Sequence, residues 1–526
     1  MMASQWRPKP VNGIRTELQS AQTQRNTGWI ETMRTMQFYF LACATCLFSL
    51  QSVEVDAANW ITAGGSAQRF GVNPDETILT PSTVQNLVIK WETTVGGSST
   101  AQPLFLESVP TLNGTHNEVY ETNRTGWVFA LNAASGVVDW SRQLPVSGGG
   151  PSCEKSGLGV PATPTIDPIA GLLYMMDAQG ALHALNVATG SESAGYPVPI
   201  IDSGNLALGA HSHTSPTLVG NTIYIGSSAA PDCEAVKSPL YGGLASFDTP
   251  SLAVTNRFFS VGKAGGGGGI WGPGGASVDP VTGNLLAATG NAYVAPDYTP
   301  LAESVIELDA NLNVLQSDSP RKADFRFKGD DDFGSTPVPL DMPRCPRLLA
   351  VLNKIGTMFI YSQKELSAGP LQKLRLTGGI LQHQNPYATS MVAFDAATGL
   401  MVVNNPIAYG SFTNGAIAFL VPSRPACTSS SQVNLAWQTT FGNNEWNAQT
   451  RATQPTIAGG LVWFATGSSG SILALNETTG APEYSTGSKL TGATLGSPTV
   501  ADGRVYFYQG QKIVALGLRK HDNRAH

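Results

Sequence analysis

Leu172-Leu173-Tyr174-Met175-Met176, then Asp177-Ala178-Gln179-Gly180, then Ala181-Leu182-His183-Ala184-Leu185-Asn186, closed by Ala188-Thr189-Gly190, is the stretch that decides the fold. It reads as a short apolar strand, a Gly turn, a second strand ending in Asn, and a Thr-Gly turn. The Asn at the strand end can accept backbone N–H bonds from two or three residues on, and the Gly supplies the positive φ that closes the turn. Such a hairpin cannot bury its own apolar face. It needs neighbours of the same kind, which is the physical signature of a repeat fold.

Working outward, the unit recurs along most of the chain. Gly126-Trp127-Val128-Phe129-Ala130-Leu131-Asn132 with Ala133-Ala134-Ser135-Gly136 is an earlier copy. Later copies end at Phe247-Asp248, Leu308-Asp309, Ile360-Tyr361, Phe394-Asp395 with Ala397-Thr398-Gly399, Leu475-Asn476 with Thr478-Thr479-Gly480, and Ala515-Leu516. Packing blade on blade around an axis turns these units into an all-β propeller. The copies give eight blades, and their uneven spacing allows seven as the other count. The last strand, 512–516, and the first, 86–91, are expected to pair and close the ring.

Composition agrees with this and excludes several functions. Hydrophobic residues make up 42% of the 526 and charged residues 13%, a globular balance, while 57 Gly and 34 Pro favour turn-rich β structure. A net charge of −6 with pI near 5.7, and no cluster of Lys or Arg in the propeller region, argues against nucleic acid. Arg34 precedes an apolar run at 38–50 that is too short to span a bilayer, followed by Val55-Asp56-Ala57. This reads as a secretory signal within an N-terminal extension, 1–57, ahead of a propeller at 58–518 and a polar tail at 519–526. The expected location is therefore secreted or periplasmic, with no membrane span. Beyond the leader, Cys153, Cys233, Cys345 and Cys427 form an even set compatible with one or two disulfides, their pairing undetermined. Cys-x-x-Cys-His is absent from the sequence, so no covalent haem is expected on this chain.

The Ala-x-Asp/Asn-x-x-Thr-Gly turns resemble the repeats of pyrroloquinoline-quinone (PQQ) proteins over nearly all of 58–518. Asn59-Trp60, Gly64-Gly65 and the segment 79–91 are similar to the opening of polyvinyl-alcohol-dehydrogenase-like members of the quinoprotein alcohol dehydrogenase family. The resemblance implies PQQ and Ca²⁺ as cofactors, a small or polymeric alcohol as substrate, and a separate electron acceptor such as a cytochrome. It also implies site residues. Ile270-Trp271-Gly272, leading to Ala288-Thr289-Gly290-Asn291, resembles the block in which the Trp floors the quinone and the Asn ligates calcium; an indole offers a broad apolar face and an amide oxygen is a hard neutral ligand. Gly329-Asp330-Asp331-Asp332-Phe333-Gly334 resembles the block with the catalytic acid before Phe, so Asp332 is implied as base and as metal ligand. Asn353-Lys354-Ile355-Gly356 resembles the turn whose cation contacts the quinone carbonyls, which gives Lys354 a catalytic and cofactor-binding role. Thr214 and Ser215 match a segment whose hydroxyl contacts a cofactor carboxylate.

The pattern departs in two places. The acid that completes the family's calcium site has no unambiguous counterpart, and Glu234 is the residue offered for it. Many members carry two adjacent cysteines over the quinone, whereas this sequence has no Cys-Cys pair. Asp330 to Asp332 could equally be a solvated acidic loop, and His211 and His213 read as surface or packing histidines. The rival function is a cofactor-free propeller that binds protein or glycan. A hydrolase has no Gly-x-Ser-x-Gly motif behind it.

Overall fold

The computed structural model describes residues 59–519 except 147–158, 202–210, 228–241, 262–266, 293–300, 321–331, 378–389, 429–430, 442–452, 467–469, 488–493 and 495. The leader read in 1–57 lies outside these residues. Eight antiparallel sheets follow one another along the chain, four strands each in chain order except at the two sheets that receive N-terminal segments. Blade 1 spans 104–143, blade 2 165–199, blade 3 217–259, blade 4 277–318, blade 5 338–375, blade 6 393–440, blade 7 456–485 and blade 8 499–518. Strands within a blade are called a to d from first to last. The expected eight-bladed propeller is therefore present.

Burial along the strands follows their place in the blade. Strands b and c are nearly continuous apolar runs buried on both faces, as in Leu461–Ala465 and Leu348–Leu352. The d strands alternate, as Ala253–Phe259 and Asn434–Thr440 do, with one face on the neighbouring sheet and one in water. The core is distributed between blades: Phe105, Tyr120, Leu173 and Tyr506, from blades 8, 1 and 2, share one cluster. Each such fully buried side chain contributes roughly 1.5–3 kcal/mol.

The ring closes as expected. Leu87–Thr94 supplies strand d of blade 8, pairing from Leu87 with Leu518 to Thr94 with Lys512. One repeat copy sits differently from its sequence reading. Asp395 ends strand a of blade 6, so Ala397-Thr398-Gly399 turns from a to b, whereas the Asn132, Asn186 and Asn476 turns lead from c to d. The side chain of Asp395 accepts the Ala397 N–H at 2.8 Å just as Asn476 accepts Thr478 at 3.1 Å. The same capped Gly turn closes either hairpin, so the motif alone does not reveal its position. Blade 6 instead carries Cys427 after strand c, in a disulfide with Cys345 of blade 5. Cys153 and Cys233 lie outside the described residues.

A recurrent clasp joins some blades. The Trp91 ring lies against Gly136, Trp140 against Gly190, and Trp437 against Gly480, each glycine at φ near +70°. A Cβ on those glycines would fall 2.5–2.6 Å from the ring. Each indole N–H also donates into the same turn, to the carbonyls of Ala133, Val187 and Glu477 at 2.8–3.0 Å. A tryptophan on strand d thus locks onto the c–d turn of the next blade at junctions 8/1, 1/2 and 6/7.

The N-terminal segment before strand d of blade 8 runs around the inner rim. Trp60 bridges Phe105 of blade 1, Ile61 accepts from Ile166 of blade 2, Ala67 from Val278 of blade 4, and Phe70 from Phe394 of blade 6. Val72–Asn73 then adds a parallel strand to blade 7. Among the described residues no helix is long and apolar enough to cross a membrane.

Candidate active site

The site is built where chain segments leave strand b or enter strand a in blades 3, 4 and 5. In blade 5, Ser335 Oγ donates to the Leu352 carbonyl at 2.6 Å and accepts the Leu352 N–H at 3.0 Å, fixing the end of strand b. The chain then turns through Asn353, whose side chain accepts the Thr357 N–H at 2.7 Å, and Gly356 at φ +84°. That turn projects Lys354. Its ammonium reaches Asp332 Oδ1 at 2.8 Å, and its backbone N–H donates to the Asp332 carbonyl at 2.8 Å. Both side chains are almost wholly buried. Phe333, packed edge-on against Phe359, anchors the aspartate's backbone in the core.

Blade 4 brings the indole and the amide. The backbone N–H of Asn291 donates to Asp332 Oδ2 at 3.0 Å. The segments before strand a and after strand b are zipped together, with Gly290 N–H on Gly269 O and Gly268 N–H on Asn291 O. Trp271 follows directly, its ring centroid 5.4 Å from Lys354 Nζ, a cation–π distance. Gly290 is the point where these groups meet: a Cβ there would lie 2.7 Å from both Asp332 Oδ2 and Trp271 Nε1. Only glycine leaves that space. Four residues from two blades, Trp271, Asn291, Asp332 and Lys354, are therefore brought together around one backbone position.

Thr214 is buried at the lip of the same arrangement. Its hydroxyl lies 3.4 Å from the Gly226 carbonyl, and a Cβ on Gly226 would touch both Thr214 and Ile270, the neighbour of Trp271. Ser215 points elsewhere, into an axial hydroxyl network with Thr62 at 3.0 Å and Thr165 at 3.4 Å. Glu234 lies outside the described residues.

Two groups next to the site escaped the sequence reading. His211 and His213 do pack, but against Trp271 itself: His213 is near-parallel to the indole at 5.8 Å and His211 edge-on at 6.3 Å, with their Nε2 atoms 2.5 Å apart. The His-x-His spacing placed them on one face; nothing in it revealed whose face they meet. Beneath the site lies Arg69, fully buried and donating to Thr217 Oγ1 at 2.7 Å and to the carbonyls of Ala63 and Pro216. Burial pulls its guanidinium down to about 9, so it stays charged at neutral pH. Its stem packs on Gly274, three residues after Trp271. The motif-poor segment around it gave no sequence signal.

These groups fit a planar quinone and a hard cation. The aromatic platform, the ammonium above it and the adjoining carboxylate are the groups such ligands need, and Asn291, tied to that carboxylate by its backbone N–H, is of the residue type that offers a neutral oxygen. The Gly290 cradle keeps the space between platform and carboxylate clear of side chain.

Comparisons with known proteins bear on the fold and its lineage. The sequence model of the PQQ_2 family, described as outer membrane protein assembly factor BamB, matches residues 23–238 and 388–522. A polyvinylalcohol dehydrogenase from a Pseudomonas species is 24% identical over 335 residues, 58% of this chain and 49% of the relative. The chain thus spans about half the length of that curated relative. Among solved structures, the quinohemoprotein alcohol dehydrogenase of Comamonas testosteroni superposes with a TM-score of 0.64 at 16% identity, covering 90% of this chain and 84% of that one. A europium-containing methanol dehydrogenase gives 0.64 at 13% identity, covering 88% and 92%. At these identities the structures speak for the fold alone.

Proposed function

Because this chain belongs to the PQQ_2 family of propellers, whose members include scaffolds, we propose from its site that it is an oxidoreductase, a quinoprotein alcohol dehydrogenase using PQQ and calcium. The observation that carries this reading is the convergence of Trp271, Lys354, Asp332 and Asn291 on Gly290. A scaffold needs no buried ammonium–carboxylate pair beside an indole. Bound there, PQQ would accept the hydride and calcium would act as a Lewis acid.

The chain's own residues divide the remaining work. The Trp271 face would hold the flat ring, and Thr214 would contact it. Asn291, Asp332 and Glu234 are assigned to the metal. Asp332, paired with the neighbouring ammonium, would take the hydroxyl proton of the alcohol as the carbinol hydride departs, leaving an aldehyde or ketone. Lys354 would balance the negative charge that builds on the acceptor's oxygens. The relative's name supports an alcohol as substrate. A separate acceptor, such as a cytochrome, would take the electrons onward, and the sequence of 1–57, read as a leader, supports a secreted or periplasmic location.

Purified chain incubated with PQQ and Ca²⁺ should oxidise alcohols in a dye-linked assay. Asp332→Asn should lower kcat at least ~100-fold while retaining quenching of tryptophan fluorescence by PQQ. Equal rates for the two proteins would remove Asp332 as base. No PQQ-dependent quenching in wild type would favour the second reading, a protein- or glycan-binding propeller, which the family's description supports.

A further inference from the structure

Outside the candidate active site, one cluster combines an imidazole and two carboxylates in blade 1. His116 and Glu118 lie on strand b, Gly114–Thr122, and Asp139 on strand d, Val138–Gln143. Alternation along strand b puts His116 and Glu118 on one face, and Asp139 reaches them past the end of strand c, Trp127–Asn132. His116 Nε2 lies 2.7 Å from Glu118 Oε1 and 2.5 Å from Asp139 Oδ2. One ligand atom from each residue falls within 4.8 Å of the others.

Hydrogen bonding within the protein leaves this cluster incompletely satisfied. An imidazole nitrogen carries at most one proton, so His116 Nε2–H can be directed fully at only one of the two oxygens facing it. Glu118 is wholly buried; its carboxyl shares a side-chain hydrogen bond with Asp139, so the two acids face each other across the cluster, and its Oε2 meets no N–H donor among the described residues. A buried carboxylate oxygen without a partner is costly unless a cation or donor meets it. The Asp139 carboxylate, by contrast, is already oriented: Asn113 Nδ2 donates to Oδ1 at 2.6 Å, leaving Oδ2 turned inward. Metal sites commonly fix a ligating carboxylate by such an outer hydrogen bond.

We propose that His116, Glu118 and Asp139 form a binding site for a divalent first-row transition ion, with Zn²⁺ the ion best matched to them. One nitrogen and two carboxylate oxygens are the donors this class takes, whereas Ca²⁺ prefers six to eight oxygens. Tetrahedral bonds of ~2.0–2.1 Å place ligand atoms ~3.3 Å apart, so small side-chain rotations open the cluster to the ion. His116 is 19% exposed, which leaves a side open for water as fourth ligand. The site lies on the face opposite the candidate active site. It sits where strand b begins and strand c ends, while Asn291 and Lys354 follow the ends of b strands. It also adjoins the seam of the ring, since Asn117 donates to Asp502 of blade 8 at 3.2 Å. Its role is to tie the a–b hairpin of blade 1 to strand d beside that seam, without entering the chemistry.

The test is Zn²⁺ titration of the full, untagged chain by calorimetry, with metal content after dialysis and melting temperature as second readouts. One tight equivalent with Kd at or below ~1 μM, raising the melting temperature by ~2–4 °C, is the expected result. Asp139→Asn, which preserves shape, and His116→Ala should each weaken binding at least ~100-fold and abolish the thermal shift. His213→Ala and Asp332→Asn, which alter the other face, should leave the isotherm unchanged. The proposal is overturned if wild type binds no Zn²⁺ saturably, if the isotherm survives Asp139→Asn, or if it is lost in His213→Ala or Asp332→Asn instead.

Discussion

Blades 8, 1, 2, 6 and 7 differ from blades 3, 4 and 5 in how they are joined. Around the first group a tryptophan ring packs on a turn glycine and its N–H enters that turn. Around the second no such clasp occurs among the described residues: apolar clusters cross the junctions, joined by bonds such as Arg257 to the Ile200 carbonyl at 2.7 Å, Tyr224 to the Ala310 carbonyl at 3.0 Å and Tyr361 to Asp318 at 3.0 Å. The candidate site lies wholly among the latter. Clasps maximise burial and rigidity, whereas a site must hold a buried ammonium, carboxylate and amide that burial alone disfavours. The clasps thus lie in one arc of the ring and the candidate chemistry in the other.

The sharpest way to break this contrast is to damage each arc and ask what is lost. Lys354→Met leaves Asp332 as an uncompensated buried carboxylate, which should cost about 3–5 kcal/mol in denaturant unfolding and also lower kcat. Trp140→Ala should cost about 3 kcal/mol and leave kcat of the folded enzyme unchanged. A fall in kcat with Trp140→Ala would erase the division between the arcs.

The 1/2 junction adds a pH-dependent element to its clasp. His183 sits between Asp177 at 3.3 Å and Glu192 at 2.9 Å, and Glu192 also meets Arg142 of blade 1 at 3.1 Å. Burial opposes charge on the imidazole, but hydrogen bonds to Asp177 and Glu192 outweigh it and raise His183 to about 9. Because the folded value is raised, its stabilisation is complete below the ordinary value of 6.5 and is lost as pH rises through about 9. Unfolding free energy should fall by up to about 3 kcal/mol between those limits, and His183→Gln should flatten that slope. An equally steep slope in the variant would exclude the imidazole as its source. The smallest effect belongs to Trp437→Phe, which keeps the ring on Gly480 but removes the bond to Glu477; about 1 kcal/mol should be lost in a melting experiment.

The repeat made the propeller legible because an Asn or Asp at a strand end and a Gly two to four residues on are local requirements of one turn. The same locality explains the shifted copy at Asp395: the turn is identical whether it joins a to b or c to d. The clasping tryptophans are present in the sequence, yet no local rule connects Trp140 with Gly190, fifty residues away on another blade.

By itself the sequence determined the class of fold, the closing pair of strands and a set of candidate side chains, since these follow from short-range periodicity, turn chemistry and family resemblance. Tertiary structure alone decided which candidates meet. It joined Trp271, Asn291, Asp332 and Lys354 at Gly290, sent the Ser215 hydroxyl to the axial network instead, and set His213 against the indole. The physical reason is that a propeller builds its centre from segments far apart in the chain, and only the closed ring fixes their distances.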